Sequence, residues 1–137
     1  MTTLPLLTPA RSGVYRAPSH VDAVRQSAGD GAMWLDFDLA RVRAKDGLLD
    51  TFSTTCGFPA TFGRNWDALA DALQDMSQCP AMGYVLHLRH AEQAARDLGA
   101  EWAALLDVLA ESALYWKTHD KPFVVLVDGC AELPPWI

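Results

Sequence analysis

Two short runs, Tyr84-Val85-Leu86-His87-Leu88 and Phe123-Val124-Val125-Leu126-Val127, are apolar at nearly every position. Amphipathic strands alternate; strands this uniformly apolar are covered on both faces. That coverage suits central strands of a parallel sheet, and parallel neighbours need long crossovers, usually helical. The segments around the two runs are long enough to supply them. Residues 32–38 alternate, with Trp34, Asp36 and Asp38 set against Leu35, Phe37 and Leu39, and read as a further strand. Gly13 to Arg16 reads as a short one.

Helical spacing fills the intervals. Ser19 is a candidate N-cap for a helix to about Ala28, and Gly29-Asp30-Gly31 then breaks the chain. Leu48, Leu49, Phe52 and Cys56 form one helical face from about Ala44, closed by Gly57 in the C′ position. Ala91 to Leu98 is a short helix ending at Gly99. From Glu101 the stripe Trp102, Leu105, Leu106, Leu109, Ala113 and Trp116 marks a long helix, ended by Lys121-Pro122. Residues 1–12 read as a loose arm and Pro134-Pro135 as a short tail that leaves Trp136 exposed. The order is that of an α/β protein, a small parallel β-sheet with packed helices.

One helix departs from ordinary amphipathic design. In residues 66–76 the apolar stripe is Trp66, Leu69, Ala70, Leu73 and Met76, while Asp67, Asp71 and Asp75 recur every four residues on another side. Like charges at that spacing cost a helix about 0.2–0.5 kcal/mol per pair. Asn65 as N-cap places Asp67 in the first turn, where the helix dipole favours a carboxylate. Asp71 and Asp75 lie beyond that benefit. Two readings stay open from spacing alone: a solvated face, or one half of an electrostatic contact.

Composition narrows the function. The 137 residues fit one domain, 1–137, and their formal net charge of -6 argues against binding a phosphate backbone and for a basic partner. No apolar run approaches the ~20 residues of a membrane helix, so no membrane association is expected. Met1 to Ala10 carries Pro5 and Pro9 and lacks the positive start of a secretion signal. The three cysteines, Cys56, Cys79 and Cys130, have no metal-ligand spacing, and a cytoplasmic location is expected. Cys56 is expected to pack as a small apolar residue.

Catalytic and cofactor signatures are missing. There is no HExxH, no paired Cys-x-x-Cys, no Gly-x-Ser-x-Gly elbow and no P-loop. Gly29-Asp30-Gly31 does not extend to GxGxxG and precedes a strand. His87 and His90 straddle a strand-to-helix junction and read as ordinary histidines; His20 and His119 read as surface residues. Asp67 and Asp71 with Asp36 could form a Mg²⁺ site for a small hydrolase, although no nucleophile–base pair accompanies them. The tryptophans Trp34, Trp66, Trp102 and Trp116 read as amphipathic core residues.

The run Gly57-Phe58-Pro59-x-x-Phe62-Gly63-x-Asn65-Trp66-Asp67-Ala68-Leu69-x-Asp71-x-Leu73 resembles the signature of the barstar family, intracellular inhibitors of barnase-type ribonucleases. The element order from about 32 to 128 resembles that family too. Residues 1–31 then resemble the added strand and helix of longer barstar-related bacterial proteins. The resemblance implies a non-enzymatic inhibitor, without cofactor, whose loop and helix plug the active site of a basic ribonuclease or related toxin. The implied contact positions are Thr61, Gly63, Asn65, Trp66, Asp67, Ala70, Asp71 and Gln74, with Asp71 dominant, Asp67 one turn earlier, and Glu101 assisting. Carboxylates in such a site imitate the phosphate that Arg, Lys and His would hold.

Three departures accompany the match. Thr61 stands where the family has an aromatic residue, and Ala70 where it has a tryptophan; both changes weaken or redirect binding. Arg64 replaces an acidic residue and adds repulsion toward a basic partner. The alternative is a barstar-fold interaction module with a partner that is not a ribonuclease. Structural roles compete at several positions: Asn65 as a simple cap, Gly63 as a residue with positive φ, Trp66 as core, and Glu101 as a complement to a helix N-terminus.

Overall fold

The computed structural model describes residues 7–28 and 32–136. The first part of the expected arm, before Leu7, and the Gly29-Asp30-Gly31 break lie outside the described residues. The rest of the arm is not loose but holds a 3₁₀ turn, Pro9–Arg11, and the Ser12 hydroxyl accepts the Phe123 N–H at 3.0 Å. The element order is β1 (Gly13–Arg16), α1 (Val21–Ala28), β2 (Ala32–Asp38), α2 (Lys45–Cys56), α3 (Trp66–Asp75), β3 (Gly83–Arg89), α4 (Ala91–Leu98), α5 (Ala100–Thr118) and β4 (Phe123–Val127). The strands form one sheet in the order β1-β4-β3-β2, and every pairing is parallel. The two apolar runs are therefore the central strands. Their residues 84–88 and 123–127 are all buried, as sheets covered on both faces require.

Alternation sorts the side chains onto two unequal faces. Leu35, Phe37, Tyr84, Leu86, Leu88, Phe123, Val125 and Val127 point to the larger core, shared with α2, α3, α4 and α5. Val85, Val124 and Leu126 point the other way, where Val24 of α1 and Trp136 cover them. Phe37 stacks on Phe52 of α2 at 4.3 Å between centroids, and joins β2 to the larger core. Cys56 is buried in that core, and desolvation, reinforced by nearby Cys79, pushes its thiol up to about 12. It remains a neutral packing group.

Two expectations change at the ends of elements. Helix α1 starts at Val21 rather than directly after Ser19; the His20 carbonyl accepts the first bonds, from the N–H groups of Ala23 and Val24. Trp136 is not exposed but 4% accessible. The tail runs beside the outer edge of β1: Arg16 N–H donates to Pro134 O at 2.8 Å, and Trp136 N–H donates to Arg16 O at 3.2 Å. Its indole then meets Tyr15 edge-on at 5.0 Å and carries the Arg11 guanidinium over its ring at 3.6 Å. The tail so covers a sheet edge that would otherwise be open.

Candidate functional site

Helix α3 is shaped by its caps. Asn65 is extended and its Oδ1 accepts the Ala68 N–H at 2.8 Å, satisfying a donor the helix itself leaves open. Asn65 Nδ2 donates to Gly63 O at 3.2 Å, and the Phe62 N–H closes a turn onto Pro59 O at 2.9 Å. Phe58 is buried and meets the Phe62 ring at 5.0 Å. Upstream, Gly57 closes α2 at φ 72. The positive φ ahead of α3 belongs to Arg64, at 55, and not to Gly63. Gly63 serves a different need: a Cβ there would sit 3.2 Å from Ala68 Cβ, so its bareness lets the loop lie against the first helical turn.

Both ends of α3 are bonded to α5 through indole N–H groups. At the start, Trp66 Nε1 donates to Glu101 Oε2 at 2.9 Å; at the end, Trp116 Nε1 donates to Leu73 O at 2.8 Å. Between them Leu69 and Leu73 are fully buried. Complete burial of two leucines contributes about 1.5–3 kcal/mol each. Met76 ends the helix in the left-handed region, at φ 52, with its side chain buried. Trp66 is thus only half-buried, and its polar edge is committed to Glu101. Two residues expected to touch a partner touch each other first.

The opposite side of the helix is anionic. Asp67, Asp71 and Asp75 are exposed. Among the described residues none of the three forms an ion pair; Asp75 accepts only the Ser77 hydroxyl, at 2.7 Å. Arg64, the nearest cation in sequence, pairs with Asp50 of α2, so the repulsion expected from it is partly cancelled within the chain. At a 1.5 Å rise per residue the row spans about 12 Å.

Beside the row lies a hollow of about 360 Å³ lined by Phe58, Thr61, Phe62, Gly63, Asp71 and Asp75, among others. Thr61, Gly63 and Asp71 therefore share one concavity, whereas Ala70 and Gln74 lie half-buried on the flank of α3 toward Trp66 and α5. Asp75 belongs to the acidic row but not to the contact positions that the resemblance implies. The four-residue repeat sets Asp75 in the row; its place in the hollow comes from tertiary packing. Phe58 and Phe62, the apolar lining, were visible only as motif letters.

The metal-site reading fails on geometry. Asp36 belongs to the α1 face of the sheet, with Trp34, whereas α3 packs on the other face. Among the described residues no group of three His, Cys, Asp or Glu comes together to hold a metal ion. Nor, among those residues, is any helix long and apolar enough to cross a membrane.

Fold and site together define an α/β protein whose distinguishing surface is a rigidly held anionic helix beside a hollow. The family model for barstar (barnase inhibitor) matches residues 32–128, and the chain belongs to the barstar family. That membership suggests a barnase-inhibitor-like protein. No curated protein matches the chain.

Proposed function

We propose that this chain inhibits a basic ribonuclease of the barnase type, or a related basic toxin, by setting α3 and the loop before it into the enzyme's active site. One observation supports the reading above the others. Three carboxylates stand on one exposed face of a helix fixed at both ends, with no cation of the described residues paired to them. Fixed, uncompensated carboxylates match a cleft built to hold phosphate, and need no reordering when they arrive. Asp71 is the central anchor because it borders the hollow; Asp67 extends the charge, and Thr61 to Asn65 offer backbone contacts. Glu101, held by Trp66, buttresses the first turn and adds negative charge. The protein acts by occupation, not catalysis, and its three free thiols suit the cytoplasm.

Titration of the chain into a panel of barnase-type ribonucleases, with RNA cleavage as readout, tests this. Equimolar loss of cleavage is expected with at least one member, and Asp71→Ala is expected to need about 30-fold more chain, or beyond that, for the same loss. Full cleavage by every member in the presence of excess chain would overturn the reading.

A second reading rests on the hollow itself. With Thr61 small, the surface beside Asp71 is concave, and its aromatic lining, Phe58 and Phe62, forms the wall of the hollow rather than a protruding anchor. That shape suits a basic partner with a protruding side chain, including one that is not a ribonuclease. A complex with a basic protein that has no ribonuclease activity, lost on Asp71→Ala, would select it.

A further inference from the structure

Open α/β sheets bind ligands in crevices at the carboxyl ends of their strands. On the α1 face of this sheet those ends open into a cleft of about 520 Å³, within the size range of small-molecule sites. Register and alternation bring Trp34 and Asp36 of β2 beside His87 and Arg89 of β3. Asp128 follows β4, and the turn between β1 and α1 contributes Ser19. The cleft lies across the sheet from α3 and owes nothing to the inhibitory surface.

Its carboxylates are largely spent. Asp36 accepts the Trp34 indole N–H at 3.1 Å, faces Arg25 at 3.2 Å and lies 3.5 Å from His87 Nδ1. Asp128 lies 2.8 Å from His87 Nε2 and accepts the His90 backbone N–H at 3.1 Å. His87, only 6% accessible, is therefore held from both sides. The basic groups at the mouth are in the opposite condition. Among the described residues, the Arg89 guanidinium and the His90 imidazole have neither a hydrogen bond nor an ion pair. The Ser19 hydroxyl is likewise unengaged. Asp22, exposed and among the described residues unpaired, opposes an anion on its side of the cleft, and Asp128 keeps its charge beside the His90 backbone, so Arg89 and the His90 imidazole must outweigh both.

The unspent capacity of the cleft is thus a planar guanidinium fork, an imidazole and a hydroxyl. That set fits a tetrahedral anion with several acceptor oxygens better than a two-oxygen carboxylate. The cleft exceeds the volume of a bare phosphate, and the half-buried Trp34 ring lines the remainder. We propose that it binds a small organic phosphomonoester, the phosphate on Arg89, His90 and Ser19 and the organic group against Trp34.

Phenyl phosphate, titrated into the full chain and followed by ¹H–¹⁵N NMR, tests this. Saturable shifts at millimolar ligand are expected at residues 18–22 and 87–90 and at the Trp34 indole. Inorganic phosphate should bind there more weakly and benzoate should not compete. Arg89→Gln should weaken binding by about tenfold or more, the loss of one charge-assisted bond, with its thermal midpoint checked against wild type. Asp22→Asn should strengthen binding. Absence of saturable shifts, shifts scattered over the surface, or unchanged affinity in both Arg89→Gln and His90→Gln would each overturn the site. Equal affinity for inorganic and phenyl phosphate would overturn the role of Trp34.

Discussion

Carboxylates meet two different fates in this molecule. Around His87, Asp36 and Asp128 are met by an indole N–H, a guanidinium, an imidazole and a backbone N–H. Along α3, Asp67, Asp71 and Asp75 project with no such cation among the described residues. The residue type is the same, so the difference lies in what the fold places nearby. The paired set holds strands β2, β3 and the end of β4 to α1. The unpaired set, apart from the Ser77 hydroxyl on Asp75, binds no other group of the described residues, and the fold holds it from behind. A carboxylate left uncompensated on a fixed support is available to a partner; a compensated one is structural.

The contrast breaks most sharply at Asp71. Asp71→Ala is expected to lose partner binding by about 2 kcal/mol or more, roughly 30-fold, the threshold of an interface hot spot. Its folding stability should stay within about 0.5 kcal/mol of wild type, as for other surface changes. Calorimetric titration and urea unfolding of the same variant check both halves. A large stability loss would show that Asp71 is structural after all.

The mirror-image substitution is Asp128→Ala. It leaves a buried imidazole and the His90 N–H without their acceptor, which should lower stability by about 1–3 kcal/mol while partner affinity stays the same. Urea midpoints and the same titration decide it. An affinity loss equal to that of Asp71→Ala would erase the distinction between the two sets.

Smaller effects sharpen the comparison. Asn65→Ala removes the cap of α3 and should cost about 1 kcal/mol of stability. The helix's first-turn amides should exchange faster with deuterium, since the bond lost is local. Arg64→Gln should change stability by less than about 1 kcal/mol, because the Asp50 pair is exposed. It should also modestly quicken association with a basic partner at low salt, read by stopped flow, and the gain should fade as salt rises.

Elements whose signal is local were legible in the sequence. The apolar runs became central strands, the Leu48–Cys56 face became α2 with Gly57 as its cap, and Asn65 capped α3. The anionic row was legible too, because it is a repeat along one helix. What escaped were pairings between distant segments. Nothing beside Pro134-Pro135 in sequence announces that Trp136 folds back on Tyr15 and Arg11. Nothing near Arg64 points to Asp50 across the α2–α3 loop. The positive φ settled on Arg64 because Gly63 was needed for closeness to Ala68, a steric demand visible only once the loop and helix are together. The hollow beside Asp71 is likewise a product of tertiary packing, although each residue that lines it was readable as a letter.

The two indole bonds between α3 and α5 have a practical consequence. Each places a spectroscopically distinct proton at one extremity of the same rod, its nitrogen 2.9 Å from Glu101 Oε2 in one case and 2.8 Å from the Leu73 carbonyl oxygen in the other. The molecule therefore carries its own pair of reporters. A visitor docking near the first turn should disturb the Trp66 resonance and leave that of Trp116 in place, whereas a bending or loosening of the rod should move both.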